Sequence, residues 1–178
     1  METLDVIKTR ESVRGYEDKE LEKEKLDVLL DVANKAPNAG PFQITVIQDK
    51  AILKELNDVT KHFMLNSGNE FFEERANLPG YEPMYGAPCL ILFSGPDEGF
   101  TDINIACSAT TMILAATDLG LGTCYVLSPI IGLATNEELT KKLNLPEDFN
   151  PISGVLVGYA NGEGFPSDRP KIDNINYL

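Results

Sequence analysis

The sequence predicts an α+β fold, a central sheet of about four or five strands with helices on both faces. Helix-period stretches alternate with apolar, β-branched runs, but without the short, even spacing of a βαβ array. No internal repeat or low-complexity linker divides the 178 residues, and 43% hydrophobic content supplies one core. A single domain over 1–178 is therefore expected, its last stretch, about 161–178, reading as an extended arm rich in Gly, Pro, Asp and Asn.

Each element follows from local signals. A short helix fits 2–8. Leu26, Leu29, Leu30, Ala33 and Ala36 recur at helical spacing over about 19–35, with Asp18 as the N-cap and Pro37 as the stop. "FQITVIQ" (42–48) alternates and is β-branched, which predicts a strand, and a helix should follow over about 50–60. Residues 61–87 mix Phe63, Met64, Phe71, Phe72 and Tyr81 with Asn, Gly and Pro, so an irregular excursion that lines a pocket is expected. "APCLILFSG" (87–95) reads as a buried strand. A helix should occupy about 102–119, capped by Thr101 and stopped by Gly120. Its apolar residues run nearly all round, so it needs cover from the sheet and from a second element or subunit. "GTCYVL" (122–127) and "ISGVLVGYA" (152–160) predict two more strands. A capping box from Thr135 to Glu138 opens a helix over 135–143, and "LSPIIG" (127–132) reads as a loop.

Composition narrows the chemistry. Fifteen Lys and Arg against 28 Asp and Glu leave a net charge of −13, so nucleic acid and anionic membrane surfaces are repelled by the average surface. Any phosphate must be held by a few local donors. Cys89, Cys107 and Cys124 are odd in number, widely spaced and set in apolar runs, neither a metal site nor a disulfide framework. No signal segment or membrane-spanning run is visible, and a cytoplasmic location is the expectation. Neither a GxGxxG after a strand nor a Walker loop occurs, because "GLGTCY" follows a helix and lacks the third glycine. His62 is the only histidine, so a His-dependent triad would rest on one residue in an irregular segment. Chemistry, if present, depends on a borrowed reactive group.

The opening stretch "TRESVRGY" places Arg10, Ser12 and Arg14 at alternate positions. On an extended segment they share one side, and two guanidiniums with a hydroxyl suit a phosphate ester and a second electron-rich group. Pairing of Arg10 and Arg14 with Glu11, Glu17 or the acidic helix beyond is the competing reading. The same stretch resembles the N-terminal RxSVRxF/Y signature of the nitroreductase family of FMN-dependent oxidoreductases. "ANKAPNAGPFQITVIQ" resembles that family's APSxxNxQPWxFxVV segment, "GAPCLILF" its aPvlIvv strand, "DINIACSATTMILAATDLGLGTCYV" its central helix and GLGTCWI strand, and "LPEDFNPISGVLVGYA" its LPegxxpvaxixxGyp segment. The matches run in order along most of the chain.

The resemblance implies a nitroreductase-like fold with a mixed or antiparallel sheet, and a homodimer with FMN at the subunit interface. NADH or NADPH would reduce flavin N5, and an electron-poor acceptor, a nitroaromatic or quinone, would then be reduced in ping-pong fashion. No protein residue is assigned a catalytic role, because the flavin carries the redox chemistry. It implies phosphate contact for Arg10, phosphate or ribityl contact for Ser12, and a place near flavin N1 and O2 for Arg14. Backbone around Pro37, Asn38 and Ala39, the side chain of Gln43, backbone N–H groups near Ile131 and Gly132, and Arg169 with Lys171 complete the implied cofactor set. Asn66 and Asn69 are positional candidates for the mid-chain Asn that contacts the ring. Phe71, Phe72, Tyr81 and Tyr85 are expected to wall the acceptor pocket, with core packing as the alternative. The chain departs from the pattern at Asn38 and Pro41, where the family has Ser and Asn, and at Ile44-Thr45, which replace Pro-Trp. A non-enzymatic flavin-binding or storage protein of the same fold is the alternative, and a domain that has lost FMN a third.

Overall fold

The structure, a computed structural model, describes residues 2–163 and 174–178. Four strands form one antiparallel sheet in the order β1-β2-β4-β3, with β1 at Gln43–Ile47, β2 at Cys89–Pro96, β3 at Gly122–Val126 and β4 at Phe149–Gly158. β2 is buried along its whole length, because both of its faces are covered. Cys89, Ile91 and Phe93 point to one face with Val155 and Val157, whereas Leu90 and Leu92 point to the other with Leu156, Cys124 and Val126. Each fully buried side chain of that size contributes about 1.5–3 kcal/mol, so the central pair β2–β4 anchors the molecule.

The first face is covered by α2 (Lys23–Ala33) and α5 (Thr101–Asp118), which pack together through Leu29, Ala33, Ile105, Ala109 and Met112. The Ser108 hydroxyl donates to Ala33 O at 2.7 Å and ties the two helices. α5 buries Ile105, Met112 and Ala116 but leaves Ile103 and Ala106 exposed, so its all-round apolar character is only partly covered within one chain. α1 (Thr3–Thr9) packs on α5 and leaves Leu4 and Ile7 exposed beside that uncovered strip. The second face carries α3 (Lys50–Leu65), α6 (Ser128–Thr135) and α7 (Glu137–Lys141), with α4 (Glu70–Ala76) beside α3.

Several boundaries differ from the sequence expectations. α2 begins at Lys23 rather than near 19, because Asp18 pairs with Lys50 Nζ at 2.7 Å instead of capping it. Thr101 is the first residue of α5, and its hydroxyl donates to Glu98 O at 2.8 Å. The 135–143 capping box does not form: Asn136 caps α7 by accepting from Leu139 N at 3.0 Å, while the Thr135 hydroxyl donates back into α6. "LSPIIG" is not a loop but the start of α6, with Pro129 in its first turn. α3 runs on to Leu65 and α4 follows, so the excursion over 61–87 is half helical. Gly120, at φ +73°, ends α5 in the left-handed conformation its lack of a Cβ permits. No helix among the described residues is long and apolar enough to cross a membrane.

Candidate functional site

The chain between α1 and α2 leaves the helix extended. Ser12 forms a parallel bridge to Thr123, Val13 N donates to Thr123 O at 2.8 Å, and Tyr16 bridges Ala160. This segment therefore lies along the free edge of β3, and Arg10, Ser12 and Arg14 fall on alternate residues of it. All three act on one neighbour, the Cys124 thiol. Burial pushes that thiol up, against the opposing pull of the Arg14, Arg75 and Arg10 charges and the Ser12 hydroxyl. Deeper in the sheet, Cys89 has burial alone and is pushed up to about 12.

Arg14 opens onto a cavity of about 590 Å³, within the range of small-molecule sites. This cavity is lined by the C-terminal end of β3 and the start of α6, between Cys124 and Ile131, and by Phe71, Phe72, Tyr81 and Tyr85. α4 presents the two phenylalanines because Asn69 caps it, accepting from Phe72 N at 3.4 Å. Tyr81 and Tyr85 meet edge to face at 5.9 Å, and Tyr85 sits at φ +52°, a left-handed conformation that bulky side chains rarely adopt. Strain of this kind collects at ligand sites. Tyr81, although it lines the cavity, is buried and also packs on Met64 and Ala76, so core packing and wall formation coexist there.

Charge is unevenly spread around this space. Arg14 Nη1 is buried and has no hydrogen-bond partner. Leaving a charged donor unpaired and desolvated is costly, so this atom marks a place for an electron-rich group. Of the chain's four arginines, Arg14 and Arg75 line the cavity, and among the described residues no Asp, Glu or Lys does. Arg75 and the end of β3, Cys124 to Val126, were not singled out as site residues from the sequence, whereas the following stretch with Ile131 was. The usable signal was that arginine is rare here while lysine is common, although Arg75 sits in "FFEERAN", which reads as a solvated helix face.

Of the other expected positions, Ile131 is on the cavity wall and the rest lie elsewhere or outside the described residues. Gly132 turns away from the cavity, since a Cβ there would stand 2.2 Å from Thr60 Oγ1 on α3. Gly132 is the fifth residue of α6, so its N–H belongs to the helix ladder, whereas Ile131, the fourth, lines the cavity and falls among the first four N–H groups, which have no carbonyl within the helix to meet. Pro37, Asn38 and Ala39 are exposed on the α2–β1 connection, where Asn38 Oδ1 accepts from Gly40 N at 2.9 Å and Ala39 N donates to Asn104 Oδ1 at 3.1 Å. Gln43, at the start of β1, donates to the Thr45 hydroxyl at 3.2 Å. β1 and β3 are opposite edges of the sheet, about 14 Å apart over three strand spacings, so one chain does not bring these residues to the Arg14 cavity. Asn66 and Asn69 are occupied at helix ends, Asn66 donating to His62 O at 2.7 Å and Asn69 capping α4. Arg169 and Lys171 lie outside the described residues. No cluster of His, Cys, Asp and Glu among the described residues could hold a metal ion.

Comparison with known proteins agrees with this architecture. A Methanothermobacter thermautotrophicus protein provisionally named NADH dehydrogenase/NAD(P)H nitroreductase is 28% identical over 96% of this chain and 80% of its own length. A Desulfitobacterium hafniense nitroreductase crystallised with bound FMN superposes with a TM-score of 0.91, at 26% identity over 100% of this chain and 98% of that one. A Bacteroides fragilis nitroreductase, also with bound FMN, gives 0.85 at 26% identity over 100% and 99%. The sequence model of the nitroreductase family matches residues 7–159, from the end of α1 through the arginine-bearing edge segment to the close of the sheet. A match over that span, with the same fold around it, means that the chain belongs to the nitroreductase family.

Proposed function

We propose that this chain is an FMN-dependent oxidoreductase that carries two electrons from NAD(P)H to an electron-poor acceptor, of nitroaromatic or quinone type, in a ping-pong sequence at one site. The observation that carries the reading is the buried, unpaired Arg14 Nη1 at the wall of an apolar cavity in a chain of net charge −13. The FMN bound by the two solved relatives supports the cofactor assignment. FMN would supply the reversible two-electron chemistry that no side chain here offers.

The residues fit such a group. Arg14 offers a desolvated N–H donor to the electron-rich edge of a planar ring, and its fixed charge favours whichever state of that ring is more negative. Arg10 and Ser12, at alternate positions of the edge segment, would receive the phosphate and the chain that joins it to the ring. Arg169 and Lys171 are proposed as further phosphate contacts. The aromatic and aliphatic walls hold planar rings face to face and exclude water, and the Leu127–Ser128 start of α6 contributes backbone donors.

We further infer a homodimer. The exposed apolar strip on α1 and α5, with Leu4 at 67% and Ile103 at 60% relative exposure, needs a partner. Pro37, Asn38, Ala39 and Gln43 lie at the far sheet edge, and a second copy is the economical way to deliver them to a site.

The test is an anaerobic absorbance spectrum of the protein supplied with FMN, taken before and after stoichiometric NADH or NADPH. Bound flavin that bleaches supports the oxidoreductase and names its donor. Bound flavin that stays oxidised with both donors points instead to storage, and failure to bind FMN sinks the site assignment of Arg10, Ser12 and Arg14.

A further inference from the structure

We propose that Arg75 selects the acceptor, and that the preferred acceptor is a planar aromatic bearing a carboxylate or an equivalent anionic group. The proposal rests on the oxidoreductase reading and names the substrate class of that site. Arg75, on α4, lines the same cavity as Arg14 and the β3–α6 turn. Its Nη2 donates to the Tyr85 hydroxyl at 2.8 Å, and its guanidinium carbon lies 5.1 Å from the centre of the Tyr81 ring. Both partners are neutral. They fix the plane of the guanidinium without cancelling its charge, which a carboxylate would have done.

That absence of a carboxylate is informative. The chain has 28 acidic residues and forms ion pairs freely on its surface, as at Lys50–Asp18 and Lys61–Glu82, yet none lines this cavity among the described residues. An arginine held in place by two tyrosines, one of them in a strained left-handed conformation, is a positioned cation rather than a solvated one. A guanidinium has five N–H donors in a planar fork, and a carboxylate is the ligand that matches two of them at once. The flanking Phe71 and Phe72 rings, tilted 55° to each other, supply apolar surface against which the remainder of such an acceptor would lie.

The test uses isothermal titration calorimetry with benzoate and benzamide, a matched anionic and neutral pair that cannot be reduced by hydride transfer. FMN content is read separately from the absorbance spectrum. The FMN-loaded wild type should bind benzoate at least tenfold more tightly than benzamide. Arg75→Met should abolish that preference while benzamide binding and flavin content hold, and Arg75→Lys should retain part of it, since it keeps the charge and loses the fork. Equal weakening of both probes, unchanged benzoate binding, or loss of FMN from Arg75→Met would each overturn the proposal, the last by making Arg75 a cofactor residue. If the wild type binds no FMN, the oxidoreductase reading fails. The benzoate preference and its loss in Arg75→Met then still decide the role of Arg75 in the cofactor-free protein.

Discussion

At the scale of single residues, Arg14 and Arg75 show what was legible and what was not. Arg14 was marked by its alternation with Arg10 and Ser12, and the structure shows that segment bridged at Ser12 to the edge of β3, with Arg14 at the cavity. Arg75 was hidden, because its role depends on Tyr81 and Tyr85, which reach it only after the chain turns back through a positive-φ residue. The state of Arg14 leads to a prediction with two opposite signs. A buried charged donor without a partner costs roughly 1–3 kcal/mol, and the cofactor-free chain bears that cost at Nη1. Arg14→Met, which keeps the apolar stem, should therefore raise the Tm of the cofactor-free protein by about 2–4 °C for each kcal/mol relieved. The same substitution should weaken FMN binding by roughly ten- to a hundredfold, the scale of a lost charge-assisted hydrogen bond. Differential scanning calorimetry and a flavin fluorescence titration read the two effects. A lower Tm with unchanged FMN affinity would mean that Arg14 is a packing residue.

At the scale of elements, all four strands were readable because alternation and β-branching are local signals, and β2 stood out as a continuous apolar run buried on both faces. α6 was not readable. "SPIIGLAT" contains a proline, two β-branched isoleucines and a glycine, which is poor helix material by propensity. Tertiary packing overrides that propensity. Gly132 lets α6 approach α3 so closely that a Cβ would stand 2.2 Å from Thr60 Oγ1 and 3.1 Å from Leu56 Cδ1. Thr60 cannot easily yield, since it is fully buried and its hydroxyl donates to Leu56 O at 2.7 Å. Gly132→Ala should then cost about 1–3 kcal/mol through overpacking, although alanine is the better helix former. Urea denaturation measures the loss. Combining it with Thr60→Ala, which removes the clashing oxygen, should give a double variant less destabilised than the sum of the two singles. Strict additivity would show that α6 and α3 do not meet through this pair. Because the start of α6 forms a wall of the cavity, the glycine that seats the helix also sets the width of the site.

At the scale of the whole molecule, net charge and the uncovered apolar strip pull in opposite directions. Two copies of a chain at −13 repel one another, whereas Leu4, Ile7, Phe100 and Ile103 gain by leaving water. The sequence indicated half of this, since the helix over 102–119 was apolar nearly all round. Which residues the sheet would cover was not legible, because that depends on the packing of α2 and α5. The proposed dimer should therefore tighten as salt rises from about 0.05 M to about 0.5 M, because screening removes the repulsion and leaves burial in place. Sedimentation velocity over a concentration series gives the dissociation constant at each salt. Ile103→Glu, which adds a like charge to the strip, should raise that constant at least tenfold at low salt. Val28→Glu, a similar change on the exposed side of α2, should leave it within about twofold. If salt instead loosens the dimer, attractive ion pairs hold it. If Ile103→Glu has no effect while a dimer persists, the interface lies on another face, and β1-edge residues such as Gln43 would need a different route to the Arg14 cavity.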